Sequence, residues 1–185
     1  MKSQPKKFYN SAEDLKQFHL RLKQTPCPHC QSVGFLNLHG YLCGYDEKTS
    51  SKKITRGRRV FCCHRNKRKG CGKTFSLLAA RVLKKFIISA KSFWQFLKNI
   101  LKGSNTITAF KTMGIALARS SCYRLWKIFR LRQTYIRSQL LKFFPKPLSA
   151  THSPALETIL HLGCTFNNTS CPIIAFQNKL QISFL

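Results

Sequence analysis

Acidic residues are scarce in this sequence: five Asp and Glu stand against 33 Lys and Arg in 185 residues, for a formal net charge of +28. Between Lys48 and Ala155 the chain has no acidic residue at all. A nuclease site built on two divalent ions needs carboxylates that converge on the metals. Four of the acidic residues form two adjacent pairs, Glu13-Asp14 and Asp46-Glu47, which face opposite sides of their segments. We therefore expect a binding protein and not an enzyme.

Long apolar runs and secretion signals are also missing. No segment approaches the ~20 uninterrupted apolar residues of a transmembrane helix, because lysines and an arginine break the most apolar stretch, Phe75 to Leu101. The basic N-terminus lacks the apolar core of a signal peptide. These absences predict a cytoplasmic protein that does not enter a membrane. In that reducing compartment the nine cysteines are expected to be metal ligands and buried apolar side chains, not disulfides.

Positive charge and phenylalanine are what the chain has in excess. The net charge attracts polyanions, which makes nucleic acid the expected partner and an anionic membrane surface the alternative. Hydrophobic residues make up 43% of the sequence and include 15 Phe, so the chain is too apolar to be a disordered basic tail. At this length it can form one ordinary domain or two small ones.

The cysteines carry the most specific pattern. Cys27 and Cys30 enclose a two-residue turn, and Cys62 and Cys71 form a second pair farther along the chain. Two pairs of thiols at short polar turns are typical of a tetrahedral zinc site. Cys62 follows the apolar dipeptide Val60-Phe61, and glycines on both sides of Cys71 permit a tight turn. We predict a zinc ion bound by these four cysteines.

The second half of this site is irregular and leaves alternatives open. Eight residues separate Cys62 from Cys71, where about two are usual. Cys63 and His64 follow directly and are candidate replacements for Cys62 as ligand. His29 lies between two predicted ligands, and we expect it to face solvent or to support them instead of binding the ion.

The pattern of apolar residues predicts a mainly α-helical protein with a small β zinc ribbon. Residues 1–24 are expected to form a basic N-terminal segment with one short helix capped by Ser11, and residues 25–76 the zinc ribbon. Residues 77–144 are expected to form a helical helix-turn-helix region. Residues 145–185 form a C-terminal tail whose role the pattern does not define.

The expected elements within these segments follow from local spacing. In the ribbon we expect short strands at Val33–Leu38 and Arg59–Phe61, with residues 44–57 as a loop or a long hairpin tip. Apolar residues from Phe75 to Ile87 recur at helical spacing. The other expected elements are a helix after Ser89 that ends at Gly103, a short helix from Thr106, a long helix from Ser120 to about Phe144, and tail strands at Ile173–Phe176 and Leu180–Leu185.

A short helix, a turn and a long basic helix form the arrangement of a helix-turn-helix, whose second helix enters the major groove of DNA. The long helix would bury Leu125 and Phe129 on one side. Another side of its first turns presents four residues expected to meet base edges, Ser120, Ser121, Arg124 and Lys127. Farther along the helix, Arg130, Arg132 and Arg137 are expected to contact phosphates. Further predicted contacts come from the basic ribbon and suit phosphates: Arg58, Arg59, Arg65, Lys67 and Arg68.

Together these motifs resemble the zinc-ribbon segment of bacterial insertion-sequence transposase proteins. The resemblance includes the motif Cys27–Cys30 and is strongest between Arg58 and Ser76. In that family a helix-turn-helix follows, and its last helix begins with a Ser-Arg-Ser-Thr-x-Tyr-Arg-like run, which residues 118–124 match at most positions. Ala118 departs from the pattern, because it stands where the family has a capping Ser.

The resemblance implies a zinc-dependent protein that binds double-stranded DNA sequence-specifically, at the ends of a mobile element or at its promoter. It implies a nucleoid-associated accessory protein or regulator, with a separate catalytic transposase protein and a second copy of itself as further partners. Two other functions stay open. One is a complete transposase with an unrecognised active site, and the other is a non-specific basic nucleic-acid-binding or ribosome-associated protein.

Overall fold

A sheet followed by helices makes up the computed structural model, which describes residues 6–49, 51–64, 69–147 and 153–185. The strands are β1 (Phe8–Tyr9), β2 (Leu36–Tyr45), β3 (Lys53–Cys62) and β4 (Thr74–Ala79). The helices are α1 (Ala12–Leu20), α2 (Ala90–Leu101), α3 (Thr106–Lys111), α4 (Ser120–Leu140), α5 (Pro154–Thr165) and α6 (Pro172–Leu180). A single 3-10 turn, Leu22–Gln24, follows α1.

The predicted fold class, a mainly helical protein with a small ribbon and a helix-turn-helix, is wrong. The chain is mixed α/β, with a sheet in the order β1-β4-β3-β2 and helices after it. β1 runs parallel to β4, and the other neighbours are antiparallel. β2 and β3 have ten residues each and form a hairpin with residues 46–52 at its tip, so half of the segment predicted as a loop or a long hairpin tip, residues 44–57, is strand. Its basic and glycine residues favour a loop locally, but pairing between β2 and β3 overrides that preference at both ends of the segment.

The largest local error concerns β4, because the segment Phe75–Ile87 was predicted to be helical. Residues 74–79 form a strand that is hydrogen-bonded between β1 and β3. Phe75 is half-buried and Leu77 and Ala79 are buried, while Thr74 and Ser76 are exposed. Burial that alternates every second residue is the pattern of a β-strand. The pattern is hard to recognise in the sequence because Leu78 directly follows Leu77 and adds an apolar residue at helical spacing.

Helix α1 covers one face of the sheet. Its N-cap is Ser11, as predicted, and the Ser11 hydroxyl accepts a hydrogen bond from the Asp14 N–H (3.1 Å). From α1 and the turn after it, Phe18 and Leu22 are buried against the sheet residues Leu36, Val60 and Leu77. Cys27 and Cys62 belong to the same small apolar cluster.

The helices enclose a second, larger core. Phe93 of α2 and Phe129 of α4 meet edge to face there, with ring centroids 6.3 Å apart. The predicted helix starts at Ser89 and Ser120 are confirmed to within one residue, and the Ser89 side chain accepts from the Ser92 N–H. No helix in the described ranges is both long and apolar enough to cross a membrane.

The C-terminal segment completes this core. The strand predicted at Ile173–Phe176 is instead part of α6. The fully buried Gln177 donates from Nε2 to the carbonyl oxygens of Ala80 (2.7 Å) and Val82 (3.0 Å), and it accepts from the Phe184 N–H (3.0 Å). These bonds join α6 to the chain just after β4, so residues 153–185 pack as part of the molecule.

Candidate metal centre and basic surface

Four thiols meet where the turn before β2 approaches the base of the β3–β4 connection. The Sγ atoms of Cys27, Cys30, Cys62 and Cys71 all lie within 4.8 Å of one another. Cys27 Sγ is 3.8 Å from Cys71 Sγ, and Cys30 Sγ is 3.7 Å from Cys62 Sγ. These are the four residues predicted as ligands, and the sheet brings them together from two distant parts of the chain. The cluster is close enough to bind one metal ion.

A tight backbone turn holds the first pair. The Gln31 N–H donates to the Cys27 carbonyl oxygen (2.9 Å), and the Cys27 N–H donates to the Ser32 carbonyl oxygen (3.0 Å). The His29 N–H donates to Cys27 Sγ at 3.4 Å. Gln31 adopts a φ of 61°, the left-handed conformation that closes the turn. The turn therefore directs both sulfurs to the same point.

The second pair lies across the ends of two antiparallel strands. Cys62 is the last residue of β3, and its N–H donates to the carbonyl oxygen of Lys73, which directly precedes β4 (3.0 Å). The Gly72 N–H donates to the Cys62 carbonyl oxygen (3.0 Å), and the Cys71 N–H donates to Cys62 Sγ (3.4 Å). The connecting loop thus leaves and returns at neighbouring points, which is why eight intervening residues do not separate the thiols.

Two glycines make this closure sterically feasible. A Cβ at Gly70 would overlap the carbonyl oxygen of Cys63 and lie 3.0 Å from Cys62 Sγ. Gly72 has a φ of 71°, and a Cβ there would lie 2.9 Å from Nδ1 of His64. A larger residue at Gly70 would displace the backbone of Cys63, whereas one at Gly72 would press on the His64 ring and strain its own backbone.

The surroundings of the cysteine thiols shift their pKa values in opposite directions. Burial raises the pKa of Cys62 to about 12, and it also raises the pKa of Cys27. Hydrogen bonds from the Ser32 side chain and backbone lower the pKa of Cys30, which is exposed, to about 6. The buried thiols therefore keep their protons unless a cation compensates the thiolate charge, as a divalent metal does when it binds.

The alternative ligands lie outside the cluster. The Cys63 N–H donates to the Phe35 carbonyl oxygen (2.8 Å), which ties that residue to the chain before β2. The His64 ring packs edge-on against Phe61, with centroids 5.8 Å apart. His29 is exposed. None of these three side chains belongs to the group of converging ligand atoms in the described chain.

Helix α4 carries the first group of predicted DNA contacts. Leu125 and Phe129 are buried as predicted, and Ser121 is half-buried. The exposed predicted contacts on this helix are Ser120, Arg124, Lys127 and Arg130.

The predicted contacts from the ribbon are more dispersed. Arg59 is exposed, whereas Arg58 is half-buried and its guanidinium carbon lies 3.9 Å from the centroid of the Tyr41 ring. The other three predicted contacts, Arg65, Lys67 and Arg68, lie outside the described residues.

A cation that the sequence prediction missed lies beside α4. Lys85 lines a hollow of about 160 Å³ together with Ser121 and Arg124. It belongs to the segment predicted as helical, where its side chain had no assigned role. The Lys84-Lys85 pair at the end of an apolar run was the available signal.

Each of the five acidic side chains has a hydrogen-bond or ion-pair partner. Glu13 accepts from Gln17, Asp14 pairs with Lys6, Asp46 accepts from the N–H groups of Lys48 and Thr49, Glu47 accepts from Ser89 and Ser92, and Glu157 pairs with Arg137 and Lys146. No three carboxylates converge within the described ranges.

Comparisons with protein-family models, with curated proteins and with solved structures give no match for this chain. The resemblance to insertion-sequence transposase proteins therefore stays a prediction carried by the motifs alone. What the protein does must be inferred from the cysteine cluster and from the distribution of charge.

Proposed function

We propose that this chain is a zinc-stabilised protein that binds double-stranded DNA, with the four clustered cysteines as zinc ligands. The spacing of the sulfurs carries the proposal. Zinc lies ~2.3 Å from each thiolate in a tetrahedral site, which places neighbouring sulfurs ~3.8 Å apart. The Cys27–Cys71 and Cys30–Cys62 separations of 3.8 and 3.7 Å fit that tetrahedron. They are too long for disulfides, whose sulfurs lie ~2.05 Å apart.

The zinc would be structural. Four protein thiolates fill a tetrahedral site and leave no open position for water or substrate. The apolar cluster around the site is small, so the ion would add a large part of the local folding energy, as in zinc-finger peptides, where binding contributes ~10–16 kcal/mol. It would hold the turn after α1 against the ends of β3 and β4.

DNA is the proposed partner because of how the charges are distributed. The net charge is +28, and the few carboxylates bind serines, a glutamine, backbone N–H groups or one or two cations each. Arg124, Lys127 and Arg130 are exposed on one long helix, with Lys85 beside Arg124. Such a row of cations suits consecutive phosphates of a duplex, whose neutralisation releases condensed counterions.

The zinc half of the proposal is tested by replacing the native ion with cobalt. We expect one Co²⁺ per chain with the charge-transfer and ligand-field absorption of a tetrahedral thiolate site, and displacement by one Zn²⁺. Cys62→Ser should abolish that spectrum, whereas Cys43→Ser, at an exposed cysteine outside the cluster, should preserve it. An unchanged spectrum in Cys62→Ser would reject this ligand set.

The DNA half is tested by measuring duplex affinity against salt concentration. Each lost phosphate contact lowers the slope of log K against log salt by about 0.9. We expect this decrease for Arg124→Gln and for Lys127→Gln, and no decrease for Lys102→Gln, an exposed lysine just after α2. Equal effects at all three positions would show that binding reflects overall charge and not a defined surface.

Sequence specificity is tested by selecting duplexes from a random pool with zinc present or removed. A recovered motif that depends on zinc supports a specific regulator or accessory protein, as the insertion-sequence resemblance implies. A pool without any motif favours the non-specific basic protein. Cleavage of a selected duplex with added Mg²⁺ would instead support a complete transposase.

A further inference from the structure

A groove of about 670 Å³ lies between the sheet and the helical layer. Strand β4 forms one wall, and α4 with the C-terminal segment forms the other. Three cations line it, Lys7, Lys84 and Arg132, and two aromatic rings, Phe75 and Tyr135, line it as well. None of the described residues that line it carries a carboxylate. The groove therefore combines positive charge with aromatic surface.

We propose that this groove binds a segment of single-stranded nucleic acid, at a site separate from the duplex-binding surface of α4. Cationic grooves with aromatic side chains are the common design of single-strand binding sites, because cations follow the backbone and rings stack with bases. A duplex keeps its base faces stacked inside the helix, so only an unpaired strand can use the rings. The volume lies within the ~300–1,000 Å³ of ligand pockets.

Arg132 is the best-positioned cation in the groove. Its Nη2 donates to the Ser183 carbonyl oxygen (3.1 Å), which fixes the guanidinium against the C-terminal segment. Its Nε is buried and has no hydrogen-bond partner among the described residues. The guanidinium charge, held at the groove wall by the bond to Ser183, would attract a phosphate of the strand.

Tyr135 provides the stacking platform. It is one helical turn after the groove-lining Arg132, whose guanidinium carbon lies 4.8 Å from the Tyr135 ring centroid. The residue keeps 40% of its surface exposed. A base can therefore stack on the accessible part of the ring, while Arg132 supports it.

The groove also reaches the cysteine cluster. His29, from the turn between Cys27 and Cys30, lines the groove close to β4. A metal ion that orders this turn would also order that end of the groove. Single-strand binding should therefore weaken when the metal is removed, even though no cysteine contacts the strand.

The decisive experiment measures the anisotropy of two labelled single strands, an octathymidine and an octauridine, and of a 20-base-pair duplex. Tyr135→Ala should weaken octathymidine binding at least about fivefold, the lower end of the range for losing one stacked base. Lys84→Gln should weaken it too and reduce its salt dependence, because a phosphate contact is lost. Both variants should keep duplex affinity within about twofold. Lys127→Gln, outside the groove lining, should give the reverse pattern. The ratio of the two single-strand affinities identifies DNA or RNA as the source of the strand.

Unaltered octathymidine binding in both groove variants, with native circular dichroism spectra, would overturn the proposal. Parallel loss of single-strand and duplex binding would overturn it too, since it would place both ligands on one surface. Failure of the duplex to bind, with groove-dependent octathymidine binding retained, would reject the proposed duplex function and support the groove. The experiment can therefore reject the proposed duplex function and the single-strand groove independently.

Discussion

The Glu47 carboxylate accepts hydrogen bonds from both the N–H (2.7 Å) and the hydroxyl (3.0 Å) of Ser89. Glu47 lies at the tip of the β2–β3 hairpin, and Ser89 is the N-cap of α2. A negative charge at this end of a helix is favourable, because the first N–H groups are unpaired there. The contact fastens the hairpin tip to the helical layer.

Removing this contact should destabilise the whole protein. Glu47→Ala leaves the Ser89 N–H and the Ser89 and Ser92 hydroxyls without their carboxylate acceptor, and hydrogen bonds to a charged group are worth ~1.5–3 kcal/mol. We expect a loss of about 2–3 kcal/mol in the free energy of unfolding, measured by urea denaturation with saturating zinc. Glu13→Ala changes the net charge equally but affects an exposed contact with Gln17, so it should cost less than ~0.5 kcal/mol. Equal losses would mean that charge alone is responsible.

Gly70 should control metal affinity from outside the ligand set. A Cβ there would press on the Cys63 carbonyl oxygen and on Cys62 Sγ. We expect Gly70→Ala to weaken Zn²⁺ affinity about 10- to 100-fold, the range seen when the support of metal ligands is altered. Competition with a chromophoric chelator measures it. Gly103→Ala, where φ is 92° but no atom lies within 4 Å of the added Cβ, should cost stability and leave zinc affinity unchanged.

The C-terminal helices should be required for stability. Gln177→Met keeps the size of the side chain but leaves the Ala80 and Val82 carbonyl oxygens and the Phe184 N–H without partners. Unpaired buried groups make a loss of about 2–4 kcal/mol the expected outcome. Thermal and urea unfolding of the zinc-loaded protein measure it. Gln95→Met, at an exposed position of α2, is the control, and a similar loss there would contradict a specific role for Gln177.

The Lys6–Asp14 pair should contribute to stability only above acidic pH. Burial alone would raise the Asp14 pKa, but hydrogen bonds from Lys6 and from the Asn10 N–H hold that pKa below its usual value of 3.8. The contribution is therefore complete above pH 3.8 and is lost as the pH falls through the lower pKa of the folded state.

The corresponding measurement is the stability difference between the native protein and Asp14→Asn as a function of pH. We expect a difference below ~1 kcal/mol near neutrality, because the pair is partly exposed. The difference should shrink as the solution becomes more acidic than about pH 3.8. A difference that is constant with pH would show that the carboxylate charge is irrelevant.

Local signals in the sequence were sufficient for several elements. Side chains that cap helices, Ser11 and Ser89, marked the starts of α1 and α2 within a residue. The four cysteines were predicted as one set because two pairs of thiols at short turns are typical of a zinc site. These features depend on residues close together in the chain, or on a chemistry that few residue types provide.

The pairing of strands was not predictable in the same way. The register of β4 between β1 and β3 involves residues such as Phe8, which lies 70 positions before its partner Leu78. Strand propensity depends on such neighbours, whereas helix propensity is mainly local. For the same reason the segment Ile173–Phe176, apolar and rich in isoleucine, looks like a strand until the surrounding helices are known.

By itself, the sequence determined the charge, the shortage of carboxylates and the starts of α1, α2 and α4, and it predicted the set of four thiols with Cys63 and His64 still open as replacements for Cys62. Only the tertiary structure decided that these thiols converge, that the C-terminal segment completes the core, and that Arg132 faces a groove with Tyr135. The physical reason is distance along the chain. Helix caps depend on a few neighbouring residues, and net charge is a sum over the whole sequence. The convergence of side chains depends instead on strand register and helix packing, which are set by many contacts between distant residues.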